Sequence, residues 1–194
     1  SAAWYEERIQ LLAVEEEVNT VVSVPVGAEM WSVKMKGRID RLDLKGGSVL
    51  RIVDYKTGKV ETKDLTISTQ GLMADLLSAD LKGKLLQLWL YKFLLAEAAR
   101  TQSNSLFSGL DWKNMWIEPG IISFRNLDAG VLSVPKLGLW FSEEQNMEGF
   151  MADSTQLIQA WVDKMMDRSK PFEKTSDVES CQFCDFKVIC HREI

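Results

Sequence analysis

The sequence predicts an α/β domain, a mixed sheet of about five strands with helices on both sides. Three observations carry this expectation. Runs rich in β-branched residues follow one another through the first third of the chain, separated by glycine-bearing turns. A long segment near the middle, free of glycine and proline, has the composition of a helix. Further strand-like and helical runs come after it, so the two kinds of element are interleaved along the chain. A length of 194 residues suits one domain, expected to span 1–194. An apolar content of 46% with 26% charged residues excludes a fibrous or disordered chain.

In order, Ala2–Leu12 reads as a helix with Trp4, Ile9, Leu11 and Leu12 as its apolar contacts. Val18–Val26 is rich in β-branched residues and reads as extended. Met30–Lys45 follows the turn at Gly27, and Val49–Thr57 follows Gly46-Gly47-Ser48, making three consecutive antiparallel strands that Gly58 ends. Lys84–Arg100 is the central helix. Asn114–Arg125 reads as another strand, broken or bent at Pro119-Gly120, with Gly130–Val134 pairing beside it. Ser142–Met166 is again helical, with Ser142 as N-cap and Glu143 and Glu144 in the first turn. The tail 171–194 is irregular and holds every cysteine.

The longest apolar stretch, Leu85–Ala99, contains Gln87, Lys92 and Glu97 and is too short to span a bilayer. The first residues do not resemble a secretory leader, so a cytoplasmic location is expected. A chain that begins with Ser1 is expected to be a piece of a longer protein. A net charge of −5 argues against a module that merely coats nucleic acid, which is normally basic. It is compatible with an enzyme that holds divalent cations through carboxylates.

The chemistry concentrates in Gly37-Arg38-Ile39-Asp40 and in Asp54-Tyr55-Lys56-Thr57-Gly58. Side chains alternate along a strand, so Asp54 and Lys56 share one face. An apolar face that turns acidic and then basic at its end fits a strand whose tip opens into a cleft. Whether Asp40 joins them depends on register. A two-residue loop at Gly46-Gly47 sends the two acids to opposite faces, whereas a three-residue loop, Gly46-Gly47-Ser48, pairs Lys45 with Val49 and sets Asp40 opposite Asp54. The three-residue register is expected. Two opposed carboxylates repel, and one is driven toward protonation unless a cation sits between them. Mg²⁺ or Mn²⁺ prefers such oxygen ligands, and Lys56 is then placed to stabilise charge on a phosphate. On the central helix, Gln87 and Tyr91 lie one turn apart on the same side, and Lys84 extends that polar stripe. A buried amide and phenol need partners, either each other or the cleft.

Together these residues resemble the RecB-like branch of the PD-(D/E)XK nucleases, including the nuclease domains of RecB and AddB helicase–nucleases. Gly37-Arg38-Ile39-Asp40 is similar to the family's Gly-x-x-Asp motif, Asp54-Tyr55-Lys56-Thr57 to its Asp-Tyr-Lys-Thr motif, and Gln87 with Tyr91 to its Gln-x-x-x-Tyr signature. The resemblance runs from about Leu11 to the C-terminus. It implies a restriction-endonuclease-like fold and a metal-dependent deoxyribonuclease, more an exonuclease than an endonuclease. It also implies metal ligation by Asp40, Asp54 and the carbonyl of Tyr55, catalysis by Lys56, and DNA as the partner molecule. An upstream His or Glu is a further implied ligand. His191 is at the wrong end of the chain, which leaves Glu15 or Glu17 as candidates.

Cys181, Cys184 and Cys190 form Cys-x2-Cys-x5-Cys, a clustering that argues for metal rather than disulfides in a cytosolic chain. The same pattern follows the nuclease core in AddB-like and CRISPR-adaptation nucleases. By that resemblance the three cysteines bind a [4Fe–4S] cluster with a fourth, upstream cysteine, which this sequence lacks, so the cluster is expected to be absent or incomplete here. The resulting expectation is the C-terminal nuclease portion of an AddB-like DNA-repair and recombination protein, with a helicase–nuclease partner subunit or an upstream helicase-like domain. The alternatives are a catalytically silent DNA-binding or structural module and a CRISPR-adaptation exonuclease. Trp112 and Trp116 are candidates for a single-strand track, with core packing the commoner use of both.

Overall fold

A computed structural model describes residues 8–47, 49–66, 72–77, 83–101, 116–134, 147–171, 173–176, 178–182 and 184–192. Strands β1 (Ile9–Val26) and β2 (Glu29–Lys45) form a long antiparallel hairpin, and β3 (Val49–Lys56) returns along the last part of β2. Helix α1 (Leu72–Leu77) and helix α2 (Gly83–Thr101) follow. Strand β4 (Trp116–Ser123) then lies parallel to β3, and β5 (Leu132–Ser133) pairs antiparallel with β4. Helix α3 (Met147–Met166) comes last. The sheet order is β1-β2-β3-β4-β5, a mixed five-stranded sheet flanked by helices, as expected.

The turn between β2 and β3 takes the three-residue form. Gly46 and Gly47 both have positive φ, at 59° and 75°, which a side chain would oppose, and Lys45 pairs with Val49. Two expectations need correction. Ile9–Leu12 is strand rather than helix, because pairing of Ile9 with Lys45, Gln10 with Leu44 and Leu11 with Asp43 outweighs local helical preference; residues 2–7 lie outside those described. Strand β4 runs through Pro119 without a break. Pro119 has no N–H to give, but the ladder to β5 begins only at Gly120, so no bond on that side is lost. A Cβ at Gly120 would stand 2.6 Å from the Val131 side chain, so glycine there admits the β5 segment. The proposed N-cap Ser142 lies outside the described residues.

One irregularity in the hairpin positions the site. Ile39 and Leu42 are both fully buried in the same core although three residues apart, an interval that strict alternation sends to opposite faces. Between the hydrogen-bonded partners Val14–Arg41 and Glu16–Ile39 stand Glu15 and Asp40, and Glu15 has φ +54°. The hairpin thus switches faces at this point without a change of register, while the register shift itself lies between Leu11 and Ala13. Beyond it β2 has no β3 neighbour, since the β2–β3 ladder ends at Arg41–Val53.

Both long helices build one core with the sheet. Leu42, Leu50 and Ile52 from the strands meet Leu85, Trp89 and Phe93 from α2 and Phe150 and Leu157 from α3. Each such side chain contributes roughly 1.5–3 kcal/mol by leaving water. Trp89 joins the two helices through an indole bond to Ser154 Oγ (3.2 Å) and an edge-on contact with Trp161 (5.3 Å between centroids). Helix α2 is apolar nearly all round, so burial on several sides is its natural state. Among the described residues no helix is long and apolar enough to cross a membrane.

Candidate active site

The parallel strands β3 and β4 end side by side at Lys56 and Ser123, and the candidate site forms at that carboxyl edge. Asp54 and Lys56 project from alternate positions of β3 toward α2. Gln87 and Tyr91, one turn apart on α2, meet them. Lys56 Nζ lies 2.9 Å from Asp54 Oδ2 and donates to Gln87 Oε1 at 2.8 Å. The Gln87 amide nitrogen donates to Asp54 Oδ1 (3.0 Å) and to the Tyr91 hydroxyl (2.8 Å). The amide therefore accepts from the lysine through its oxygen and donates two bonds through its nitrogen, as a carboxamide can.

Asp40 enters from β2, one residue beyond its ladder with β3. Its Oδ2 accepts the Tyr55 backbone N–H at 2.9 Å, which places it beyond the last ladder pair and beside Asp54. The register count sets Asp40 opposite Asp54, as the three-residue turn requires. The approach of β2 to α2 here depends on Gly37: a Cβ at that position would stand 2.9 Å from Leu94 and 3.0 Å from the Tyr91 ring. Glycine in the Gly-x-x-Asp stretch thus lets the helix carrying Gln87 and Tyr91 close on the strand.

Asp54 is 2% exposed, and burial raises its pKa; Lys56 opposes that shift and the Asp40 charge adds to it. The buried Asp54 Oδ2 has the Lys56 ammonium 2.9 Å away as its ion partner, while Asp54 Oδ1 accepts the Gln87 amide. Burial likewise raises the pKa of Tyr91, keeping its hydroxyl protonated.

On the opposite face of the same strands a second acid, Asp43, is closely paired, although Arg41 Nε beside it is buried without a hydrogen-bond partner. Asp43, fully buried, accepts two bonds from Arg51 (2.7 and 3.0 Å) and pairs with Arg41 at 2.7 Å. Arg41 also donates to the Tyr55 hydroxyl (3.2 Å), and the Tyr55 ring stacks on Phe124 at 5.7 Å. The segment leaving β3 is held by Ser123, whose hydroxyl donates to the Gly58 carbonyl (2.8 Å) and accepts from Val60 N (3.2 Å). Asn126 donates to the Val60 carbonyl at 3.2 Å. Sequence reading missed Ser123, Asn126, Arg41 and Asp43, because their partners lie far along the chain or across strands and no local motif marks them.

Other expected participants stand elsewhere. Glu15 pairs with Arg38 at 2.7 Å on the exposed surface, and Glu17 is exposed, so neither joins Asp40 and Asp54. Lys84, one turn before Gln87 on α2, lies 3.7 Å from Asp64. Trp116 is half-buried at the start of β4, seven steps or roughly 23 Å from the Ser123 end, so it does not line this site. Trp112 lies outside the described residues. Cys181 is buried with Arg192 Nη1 3.3 Å from its sulfur, while Cys184 and Cys190 are partly buried. Among the described residues no three His, Cys, Asp or Glu side chains gather to hold a metal, so the tail cysteines do not fit a cluster as they stand.

A family model described as the PD-(D/E)XK nuclease superfamily matches residues 2–191, almost the whole chain. No curated protein and no solved structure matches it. The mixed sheet is the restriction-endonuclease-like arrangement of that superfamily, whose nucleases generally use divalent metals. By fold, motif order and family match alike, the chain belongs to the PD-(D/E)XK nuclease superfamily.

Proposed function

We propose that this chain is a divalent-metal-dependent deoxyribonuclease, with Asp40, Asp54 and the Tyr55 carbonyl as its metal ligands and Lys56 as its catalytic cation. The observation that carries the reading is the convergence of two acids on one cleft: Asp54 is buried, and its burial and the neighbouring Asp40 both disfavour its charge. Asp40 uses one oxygen on the Tyr55 N–H and keeps the other for a cation. Hard oxygen donors of this kind suit Mg²⁺ or Mn²⁺, which would polarise a phosphodiester and acidify a bound water.

The remaining roles belong to the chain's own side chains. Lys56 presents a positive charge where negative charge builds on the attacked phosphate. Gln87 holds Lys56 and Asp54 at fixed separation, which limits the reorganisation needed during reaction. Tyr91, protonated and bonded to Gln87, fixes which way the amide points. The Asp40 bond to Tyr55 N orients the peptide that offers the ligating carbonyl.

At finer grain the reading is the nuclease portion of an AddB-like DNA-repair protein, acting as an exonuclease beside a helicase-like domain or partner subunit. Its support is the order of the Gly-x-x-Asp, Asp-Tyr-Lys-Thr and Gln-x-x-x-Tyr motifs, followed by Cys-x2-Cys-x5-Cys. A [4Fe–4S] cluster on Cys181, Cys184 and Cys190 requires a fourth ligand from outside this sequence and a gathering of the three thiols. A broad visible iron–sulfur absorbance in the isolated chain would contradict that four-ligand requirement.

The decisive test is Mn²⁺-dependent cleavage of labelled DNA by the wild type, Asp54→Ala and Lys56→Ala. Loss of at least about 10³-fold in each variant is expected. Equal rates in all three would remove the enzymatic reading and leave the silent DNA-binding module, which the lack of a third described acidic ligand favours.

A further inference from the structure

We propose that Glu15 is a positioning residue for Asp40: its left-handed backbone on β1 keeps the Asp40 carboxylate on the Tyr55 peptide and beside Asp54. Its value for metal binding rests on the reading of Asp40 as a ligand given above. Glu15 stands opposite Asp40 in the β1–β2 hairpin, between the partners Val14–Arg41 and Glu16–Ile39. In a regular antiparallel ladder, two opposed residues share a face. These two do not. Gly37 abuts Tyr91 and Leu94 of α2 and Ile39 enters the core, so Arg38 between them faces away, and Glu15 turns outward to it at 2.7 Å. Asp40 turns inward instead, to the Tyr55 N–H, where its charge bears on Asp54 and Tyr91. The register is the same on both sides of this point, so no inserted residue accounts for the split. The backbone of Glu15 does: its φ is +54°, and among the described residues it is the one non-glycine strand residue with positive φ.

That conformation crowds any residue with a Cβ, and Glu lacks the short side chain by which Asn or Asp tolerates it. The Arg38 pair does not offset the strain, since both side chains are more than half exposed (62% and 56%) and such pairs contribute little. The compensation lies on the inner side. Tyr55 N stands past the last β2–β3 pair, Arg41–Val53, and the Asp40 carboxylate takes its proton at 2.9 Å. A charged acceptor makes this one of the stronger bonds a backbone N–H can form. The same turn also brings Ile39 and Leu42 into one core, so a purely structural role is the rival account.

Three substitutions that all remove the Arg38 pair separate backbone from side chain. Glu15→Gly and Glu15→Asn tolerate the left-handed φ, whereas the branched Glu15→Val opposes it. Mn²⁺ affinity, measured by titration calorimetry on the whole chain without DNA, should stay at the wild-type value in the first two. In Glu15→Val it should weaken about tenfold, because fewer molecules hold Asp40 in place. In the metal-free chain, the Tyr55 amide proton is shifted downfield by its carboxylate bond and should move upfield in Glu15→Val alone. Equal weakening in all three overturns the proposal and makes the glutamate carboxylate the agent. A lower Tm in Glu15→Val with wild-type Mn²⁺ affinity and Tyr55 shift overturns it in favour of core packing. Should Glu15→Val not fold, Glu15→Ala replaces it, since a lone Cβ still opposes this φ; affinity equal to that of Glu15→Gly then overturns the proposal. A wild type that binds no Mn²⁺, with the Tyr55 shift still following the backbone, sinks the metal reading alone. Mn²⁺ binding with a Tyr55 shift indifferent to Glu15→Val sinks the positioning role alone.

Discussion

Asp43 and Asp54 sit on adjacent strands at nearly the same depth, fully buried and 2% exposed, yet they are treated oppositely by their surroundings. Asp43 meets two guanidinium groups, and three nitrogen contacts at 2.7–3.0 Å saturate its oxygens. Asp54 meets one ammonium, one amide and a second acid, and has its pKa raised by burial. The first carboxylate is satisfied without any ligand, although Arg41 Nε beside it lacks a hydrogen-bond partner. The second sets two acids beside a single ammonium, a conflict that a cation would relieve, and that difference is what the proposed function uses.

The largest expected effect comes from the paired cluster. Asp43→Ala strands the buried Arg51 and removes one partner of Arg41, which should cost about 3–5 kcal/mol of stability. Thermal unfolding should show a fall in Tm on the order of 10 °C for a chain of this size. A fall within error would show that Asp43 is as replaceable as a surface acid. Next in size, Gln87→Leu should lower Mn²⁺-dependent cleavage by about 10²-fold with little change in Tm, because it releases Lys56 and Asp54 while keeping side-chain volume. A large Tm loss with normal activity would instead make Gln87 a packing residue.

Cation addition should distinguish the two aspartates again. Mn²⁺ at about 100 times its dissociation constant should add about 2.7 kcal/mol to wild-type stability. The same addition should leave Asp54→Asn unmoved, and an equal upward shift in that variant would place the metal elsewhere. The smallest effect is the pH dependence without metal. The folded pKa of Asp54 lies above its unfolded value, so its contribution is fully present below the unfolded pKa and is lost as pH rises through the folded one. Relative to Asp54→Asn, metal-free wild type should therefore lose stability with rising pH across the carboxylate range, so that the variant is the more stable protein at neutral pH. A variant less stable than wild type there would contradict the strain assigned to Asp54.

Much of the site was legible beforehand because its residues obey short-range rules. Asp54 and Lys56 share a face by strand alternation, and Gln87 and Tyr91 share one by the helical turn. The register that brings in Asp40 followed from the length of one glycine turn. The misreadings fall where partners are remote. The segment Ile9–Leu12 is strand because β2 pairs with it, and Glu15 faces Arg38 because the hairpin switches faces at its positive φ.

By itself the sequence determined which elements form around the motifs, which acids and lysine end on one face, and the family to which they belong. It could do so because alternation, helical pitch and turn length are local properties of the backbone. Only the tertiary structure decided that Gly37 is the gap through which α2 reaches β2, and that Ser123 and Asn126 pin the exit of β3. It alone decided that Asp43 meets two guanidinium groups while Asp54 meets one ammonium and a second acid. Those outcomes depend on the distances between segments far apart in the chain, and on how much water packing removes from each charge.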